Sequence, residues 1–99
     1  MADLRTQEVN DLLYVLAKMD QPDELYKLLE DLFTVREIKE TSQRLEVARL
    51  LSDGKPYSVI EKETGASTTT IARVSKCLSY GSGGYSHALD LLEGQGKKK

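Results

Sequence analysis

Apolar residues in the first half of the chain recur at the three- and four-residue spacing of amphipathic helices. This pattern predicts a first helix over about Leu4 to Met19, a second that begins at Pro22, and a long third helix over roughly Val35 to Ser52. Pro22 suits the first turn of a helix, and Gly54 suits the position just past the end of one. Strand-like alternation of any length is absent from the sequence, so this half is expected to be helical.

The second half continues the same pattern in shorter segments. A fourth helix is predicted over about Tyr57 to Thr64, a fifth from Ser67 or Thr68 to the residue before "YGSGG", and a sixth over about Tyr85 to Leu92. The fold class is therefore expected to be all-α, with six helices in a single domain over residues 1–93. The last segment, "GQGKKK" at 94–99, is expected to be a disordered basic tail.

The apolar faces of the first three helices are wide for a chain of 99 residues. Adjacent apolar pairs widen them: Leu12 and Leu13, Leu28 and Leu29, Leu32 and Phe33, Leu50 and Leu51. A monomer of this length would leave part of these faces exposed, so we expect a homodimer. The alternative is a compact monomer with a large core.

Charge is distributed unevenly, although the net charge is only −2. Residues 1–54 contain seven Lys and Arg against twelve Asp and Glu, whereas residues 55–99 contain seven against four. This asymmetry indicates a partner for the basic half, although the three terminal lysines contribute much of it. Cys77 is the only cysteine, and no segment is apolar enough for a signal peptide or a membrane span, so a cytoplasmic location is expected.

Residues 57–79 have the layout of a helix-turn-helix motif: a short helix, a glycine turn and a second helix. Gly65 would supply the positive φ of the turn, and Ser67 would cap the second helix. Thr68 and Thr69 would then lie in its exposed first turn, which such motifs place against base edges in the major groove of DNA. Their short hydroxyl side chains allow close approach to bases and phosphates.

This hypothesis assigns the DNA-binding role to a defined set of residues. Ser67, Thr68 and Thr69 would approach bases or backbone, and the remaining residues would contact phosphates. The phosphate contacts are Lys55, Tyr57, Ser58 and Lys76. The same helix–turn–helix spacing also occurs in proteins that do not bind DNA, so the motif alone does not show that this chain binds DNA.

Two stretches, "SQRLEVARLLSDG" and "GASTTTIARVSKCLSYGSGGY", resemble the trp repressor superfamily, and most closely its YerC/YecD branch of trp-repressor-related proteins. The resemblance extends over roughly Leu4 to Leu92. It implies a six-helix fold, an intertwined homodimer built largely from the N-terminal helices, and DNA binding through two helix-turn-helix motifs.

The resemblance also implies a candidate effector pocket. Arg44 and Arg73 match two arginines that hold tryptophan in the best-known member, and Thr70 matches a threonine beside that ligand. Two differences lie here: Val74 stands where that repressor has a glycine, and Cys77 replaces a serine. Because valine would fill the space of the indole ring, we expect no response to tryptophan, and instead a different small acidic effector or none.

The DNA-contacting side differs as well. Where the tryptophan-binding repressor has an arginine and a lysine on the first motif helix, this chain has Ser58 and Glu61. A different target sequence and modest affinity are therefore expected, since a carboxylate repels phosphate.

The sequence shows no catalytic set, no metal-binding cluster and no cofactor motif, so we expect neither an enzyme nor a cofactor. The favoured hypothesis is a homodimeric transcriptional regulator with double-stranded DNA as its partner. One alternative is a dimeric protein-interaction adaptor that has kept the fold with weakened DNA binding. The other is a repressor gated by a small acidic effector.

Overall fold

The computed structural model describes residues 5–94, which form six α-helices and no strand. They are α1 Gln7–Lys18, α2 Pro22–Leu32, α3 Val35–Ser52, α4 Tyr57–Thr64, α5 Thr68–Tyr80 and α6 Gly84–Gly94. The prediction of a six-helix, all-α fold is therefore confirmed. Of the predicted disordered tail, Gly94 is the last residue of α6, and residues 95–99 lie outside the described part of the chain.

Local side-chain hydrogen bonds explain where the first and third helices begin. The hydroxyl of Thr6 accepts a hydrogen bond of 3.2 Å from the backbone N–H of Val9, so α1 begins at Gln7 rather than near Leu4. Thr34 and Glu37 form a reciprocal pair before α3. The Thr34 hydroxyl accepts from the Glu37 N–H at 3.0 Å, and the Glu37 carboxylate accepts from the Thr34 N–H at 2.9 Å. This is a capping box, and it fixes the start of α3 at Val35.

The chain divides into two compact units, one ending at Ile38 and one beginning at Lys39. In the first unit, neither α1 nor α2 contains a buried residue, although both are amphipathic. Large apolar side chains are instead exposed there. They are Leu12, Leu13, Tyr14, Val15, Tyr26, Leu32 and Val35. The first unit therefore presents an extensive apolar surface in the single chain.

The second unit contains the buried core. Its members come from α3, α4, α5 and the turn between the last two. They are Val47, Ala48, Leu50, Ile60, Ala66, Ile71 and Val74. Leu51, Leu78, Tyr85 and Leu89 are partly buried against this cluster. The core thus joins the C-terminal part of α3 to the predicted helix-turn-helix segment.

One detail of α3 differs from the pattern in the sequence. The helical spacing predicts an inward face with Ile38, Leu45, Ala48 and Leu51, but among these only Ala48 is buried. Val47 and Leu50 are buried in addition. All three buried residues lie in the last two turns of α3, because only this part of the helix contributes to the core shared with α4 and α5.

Candidate nucleic-acid interface

The turn between α4 and α5 depends on Gly65. This residue has φ of +77°, a left-handed conformation that favours glycine, and its N–H donates to the carbonyl of Glu61 at 2.9 Å. The next residue, Ala66, is buried in the core. The turn therefore connects the end of α4 directly to the start of α5, and its residue Ala66 lies in the core.

Thr64 stabilises the same turn through its side chain. Its hydroxyl donates to the carbonyl of Ile60 at 2.7 Å and accepts from the N–H of Ala66 at 3.1 Å. The backbone carbonyl of Thr64 accepts from Nε2 of Gln43 on α3, at 3.0 Å. The motif is thus held to α3 by a polar contact as well as by the core, a contact that the sequence did not reveal.

Ser67 caps α5, as the sequence predicts. Its hydroxyl oxygen accepts from the N–H of Thr70 at 3.1 Å, and its O–H donates to the hydroxyl oxygen of Thr70 at 3.2 Å. Within the described residues, the hydroxyls of Thr68 and Thr69 make no hydrogen bond, and both side chains are exposed. The cap therefore uses Ser67 and Thr70, and Thr68 and Thr69 remain exposed at the N-terminus of α5.

The buried side of α5 determines which residues are presented on its other side. Ile71 and Val74 are 0% and 1% exposed, and Ile71 lies in the same core as Ile60 of α4. This core packing holds the two motif helices together. Arg73 and Lys76 are exposed, so α5 presents hydroxyl and basic groups to solvent.

All of the predicted DNA-binding residues are exposed. They lie in the loop before α4, in the first turn of α4, at the N-terminus of α5 and farther along α5. In that order they are Lys55, Tyr57, Ser58, Ser67, Thr68, Thr69 and Lys76. Their exposure makes them available to a partner, and their contact with DNA stays a prediction.

The residues of the predicted effector pocket differ in exposure. Arg44, Arg73 and Cys77 are exposed, Thr70 is half-buried, and Val74 is buried in the core. The Thr70 hydroxyl is bonded to Ser67. The burial of Val74 is consistent with the expectation that its side chain fills space next to α5, and the pocket itself stays a prediction.

Arg49, near the end of α3, is engaged by two acidic side chains. It forms a bidentate ion pair with Glu46, with Nε at 3.0 Å from Oε1, and its Nη1 lies 3.6 Å from Oδ2 of Asp53. The hydrogen bond that Arg49 donates to the Glu46 carboxylate raises the pKa of Arg49 above its ordinary value. Arg49 is therefore charge-compensated within the chain and is a poor candidate for a phosphate contact.

Residues 5–94 include no group of three His, Cys, Asp or Glu side chains that could hold a metal ion. None of the described helices has the length and apolar character needed to cross a membrane.

The profile of the family described as "Trp repressor protein" matches residues 7–93. The chain belongs to the Trp repressor family. The match spans all six helices except the last residue of α6, so the helix-turn-helix segment and the N-terminal helices are both included.

Relatives of this family member support the assignment. The YerC protein of Bacillus subtilis is 47% identical over 90 residues, which are 91% of this chain and 86% of that protein. A candidate Trp repressor from Staphylococcus aureus has a solved structure that superimposes with a TM-score of 0.87 at 39% identity, covering 91% of this chain and 90% of that one. The solved structure of a TrpR-like protein from Eubacterium eligens superimposes with a TM-score of 0.86 at 40% identity, covering 97% of this chain and 96% of that one.

Proposed function

We propose that this Trp repressor family member is a sequence-specific DNA-binding transcriptional regulator. It acts as a homodimer and reads double-stranded DNA through α4 and α5. Membership of the family suggests a DNA-binding regulator. A cytoplasmic location and the absence of enzymatic activity stay predictions.

The observation that carries the proposal is the N-terminus of α5. Thr68 and Thr69 are exposed there, and their hydroxyls make no hydrogen bond to any of residues 5–94, while the Ser67–Thr70 cap and the buried Ile71 hold the helix behind them. In helix-turn-helix proteins, N-terminal residues of the second helix contact base edges. Hydroxyl groups can bond bases or phosphates, and the threonine methyl can contact thymine.

The first unit supports a homodimer. Helices α1 and α2 have 12 and 11 residues and contain no buried residue. Isolated helices of this length are marginally stable in water. A second copy of the chain would cover apolar side chains such as Leu13, which is 42% exposed, and Tyr14, which is 65% exposed. The N-terminal helices are therefore the proposed dimer interface.

Tryptophan is not the proposed effector. Val74 is 1% exposed, so its side chain already occupies core space beside α5. Arg44 and Arg73 are exposed and could bind a carboxylate through paired hydrogen bonds. A regulator gated by another small acidic effector is therefore an alternative that shares the same DNA-binding surface.

The charge of the second half favours one further alternative, a dimeric adaptor that contacts proteins. Residues 55–94 contain four Lys and Arg and four Asp and Glu, so without the terminal lysines this half is neutral. Glu61 and Ser58 are both exposed on α4, where a strongly DNA-binding protein would place basic groups. The adaptor would keep the dimer with weakened DNA binding.

Selection of genomic DNA fragments on the purified full chain separates these functions. At low and moderate salt, we expect a recurring palindromic motif whose enrichment is lost on Thr68→Glu. Thr68 is exposed at the start of α5, where a carboxylate is compatible with the helix dipole, so this variant should fold while repelling DNA. No enrichment over a charge-matched control protein at either salt concentration would contradict the proposal and favour the adaptor.

A further inference from the structure

Gln43 provides a hydrogen bond between two segments that are far apart in sequence. Its Nε2 donates to the backbone carbonyl of Thr64, 21 residues later, at 3.0 Å, and its side chain is half-buried. The last carbonyls of a helix lack donors within that helix. Thr64 is the last residue of α4, so Gln43 supplies from α3 a donor that α4 cannot supply itself.

The position of Gln43 places it directly over the turn. A Cβ atom added to Gly65 would lie 3.9 Å from Nε2 of Gln43, so this amide group is adjacent to the residue with positive φ. The hydroxyl of Thr64 is bonded within the motif, to Ile60 and Ala66. The Gln43 bond, in contrast, extends from the motif to α3.

The core alone gives little directional constraint here. Val47 and Ala48 of α3 share one apolar cluster with Ile60 and Ile71, and apolar contact is non-directional. A hydrogen bond depends on distance and angle. Thr64 precedes the Ser67 cap by only three residues, so a displacement of the turn displaces the start of α5.

We propose that Gln43 is a positioning residue that fixes the helix-turn-helix turn against α3 and thereby sets where Thr68 and Thr69 are presented to DNA. The DNA consequence rests on the proposed function, whereas the effect on the turn does not. Gln43 itself touches no DNA base in this proposal. Its role is to hold the carbonyl of Thr64.

The test compares two substitutions in the full-length protein. Gln43→Met keeps the length of the side chain and removes its donor, and Gln43→Lys keeps a donor that can reach a helix C-terminus. Hydrogen exchange of the Gly65 and Ala66 amides should become roughly fivefold faster in the Met variant, the factor that corresponds to one neutral hydrogen bond. The Lys variant should retain the original rates.

The second measurement is the ratio of the affinity for selected DNA to the affinity for scrambled DNA. The added charge of lysine raises both affinities by a similar factor, so its effect largely cancels in this ratio. We expect the ratio to fall about fivefold or more in the Met variant and to be kept in the Lys variant. Gln7→Met is the matched control, since Gln7 is exposed on α1 and its side-chain amide donates to Asp11 of the same helix at 2.8 Å. It should alter neither quantity.

Unchanged hydrogen-exchange rates of the Gly65 and Ala66 amides in Gln43→Met would overturn the inference. The inference would also fail if Gln43→Lys accelerated this exchange as much as Gln43→Met does. If the Met variant does not fold, Gln43→Glu replaces it, because an ionised carboxylate of the same length has no donor. If the unmodified protein selects no DNA, the proposed function fails, and the exchange rates still decide whether Gln43 positions the turn.

Discussion

The hydroxyls of Ser67 and Thr70 are directly bonded at 3.2 Å, and the same Ser67 oxygen accepts from the Thr70 N–H at 3.1 Å. This pair satisfies one of the free N–H groups at the start of α5 and occupies two of the four consecutive hydroxyl residues. The other two, Thr68 and Thr69, are exposed. The run of hydroxyl residues is therefore divided between two that cap the helix and two that are exposed to solvent.

Ser67→Ala should destabilise the protein through the loss of this cap. N-cap replacement by alanine costs about 1 kcal/mol. In a domain of this size that corresponds to a melting temperature lower by about 4–8 °C. Ser67→Asp keeps an acceptor at the N-terminus of α5 and should melt close to the unmodified protein. Thermal unfolding by circular dichroism measures both, and an alanine variant with an unchanged melting temperature would show that the cap contributes nothing.

Lys76→Ala should weaken DNA binding mainly through electrostatics. If Lys76 contacts phosphate in each protomer of the proposed dimer, the substitution removes two contacts. The slope of log affinity against log salt concentration should then become shallower by about 2. Lys62→Ala is a suitable control because Lys62 is exposed on α4 and has no proposed phosphate contact. Titrations at four or more salt concentrations give the slopes, and equal slopes for Lys76→Ala and the unmodified protein would exclude the contact.

The boundaries of α3 and α4 could be predicted from the sequence because local residues determine them. Gly54 and Gly65 have the positive φ values that follow helix ends, and the predicted spans of both helices match those of the structure. The buried stripe of α3 could not be predicted. Whether Val47 or Leu45 is buried depends on which helices pack against α3, and this information is not contained in the helical period of α3 itself.

The sequence predicts the local features of the candidate site but not its contact with another helix. The cap at Ser67 and the exposure of Thr68 follow from local rules, since a hydroxyl residue before an apolar periodic segment is a typical helix start. The bond between Gln43 and Thr64 has no such signal. A glutamine within a helix is an ordinary residue, and its partner lies on a different helix that only the tertiary fold brings close.

Val74→Gly should strongly destabilise the protein. Removal of a fully buried valine side chain forfeits about 1.5–3 kcal/mol of burial, and glycine within a helix costs about 1 kcal/mol more. Ala72→Gly separates the two effects, because Ala72 is exposed two residues earlier on α5 and should show the helix cost alone. Denaturant unfolding gives both free energies. Equal losses in the two variants would mean that Val74 contributes no packing.

The buried side chain of Val74 also gives a prediction about the effector. If Val74 fills the space that an indole ring would need, the unmodified protein should not bind tryptophan at micromolar concentrations, as calorimetry can show. Binding of tryptophan to the unmodified protein with such affinity would contradict the argument from the buried valine. A thermal shift with other small carboxylic acids would instead support the alternative in which Arg44 and Arg73 hold an effector.

Leu13→Lys should disrupt the proposed dimer. Leu13 is 42% exposed on α1, and a lysine there is tolerated in the single chain but would place a charge within an apolar interface. Light scattering should report twice the chain mass of 11.1 kDa for the unmodified protein and a mass close to the chain mass for the variant. Tyr80→Lys, at an 85% exposed position on α5, is the control and should remain dimeric. A monomeric unmodified protein at micromolar concentration would contradict the dimer itself. A dimeric Leu13→Lys variant would place the interface away from this part of α1.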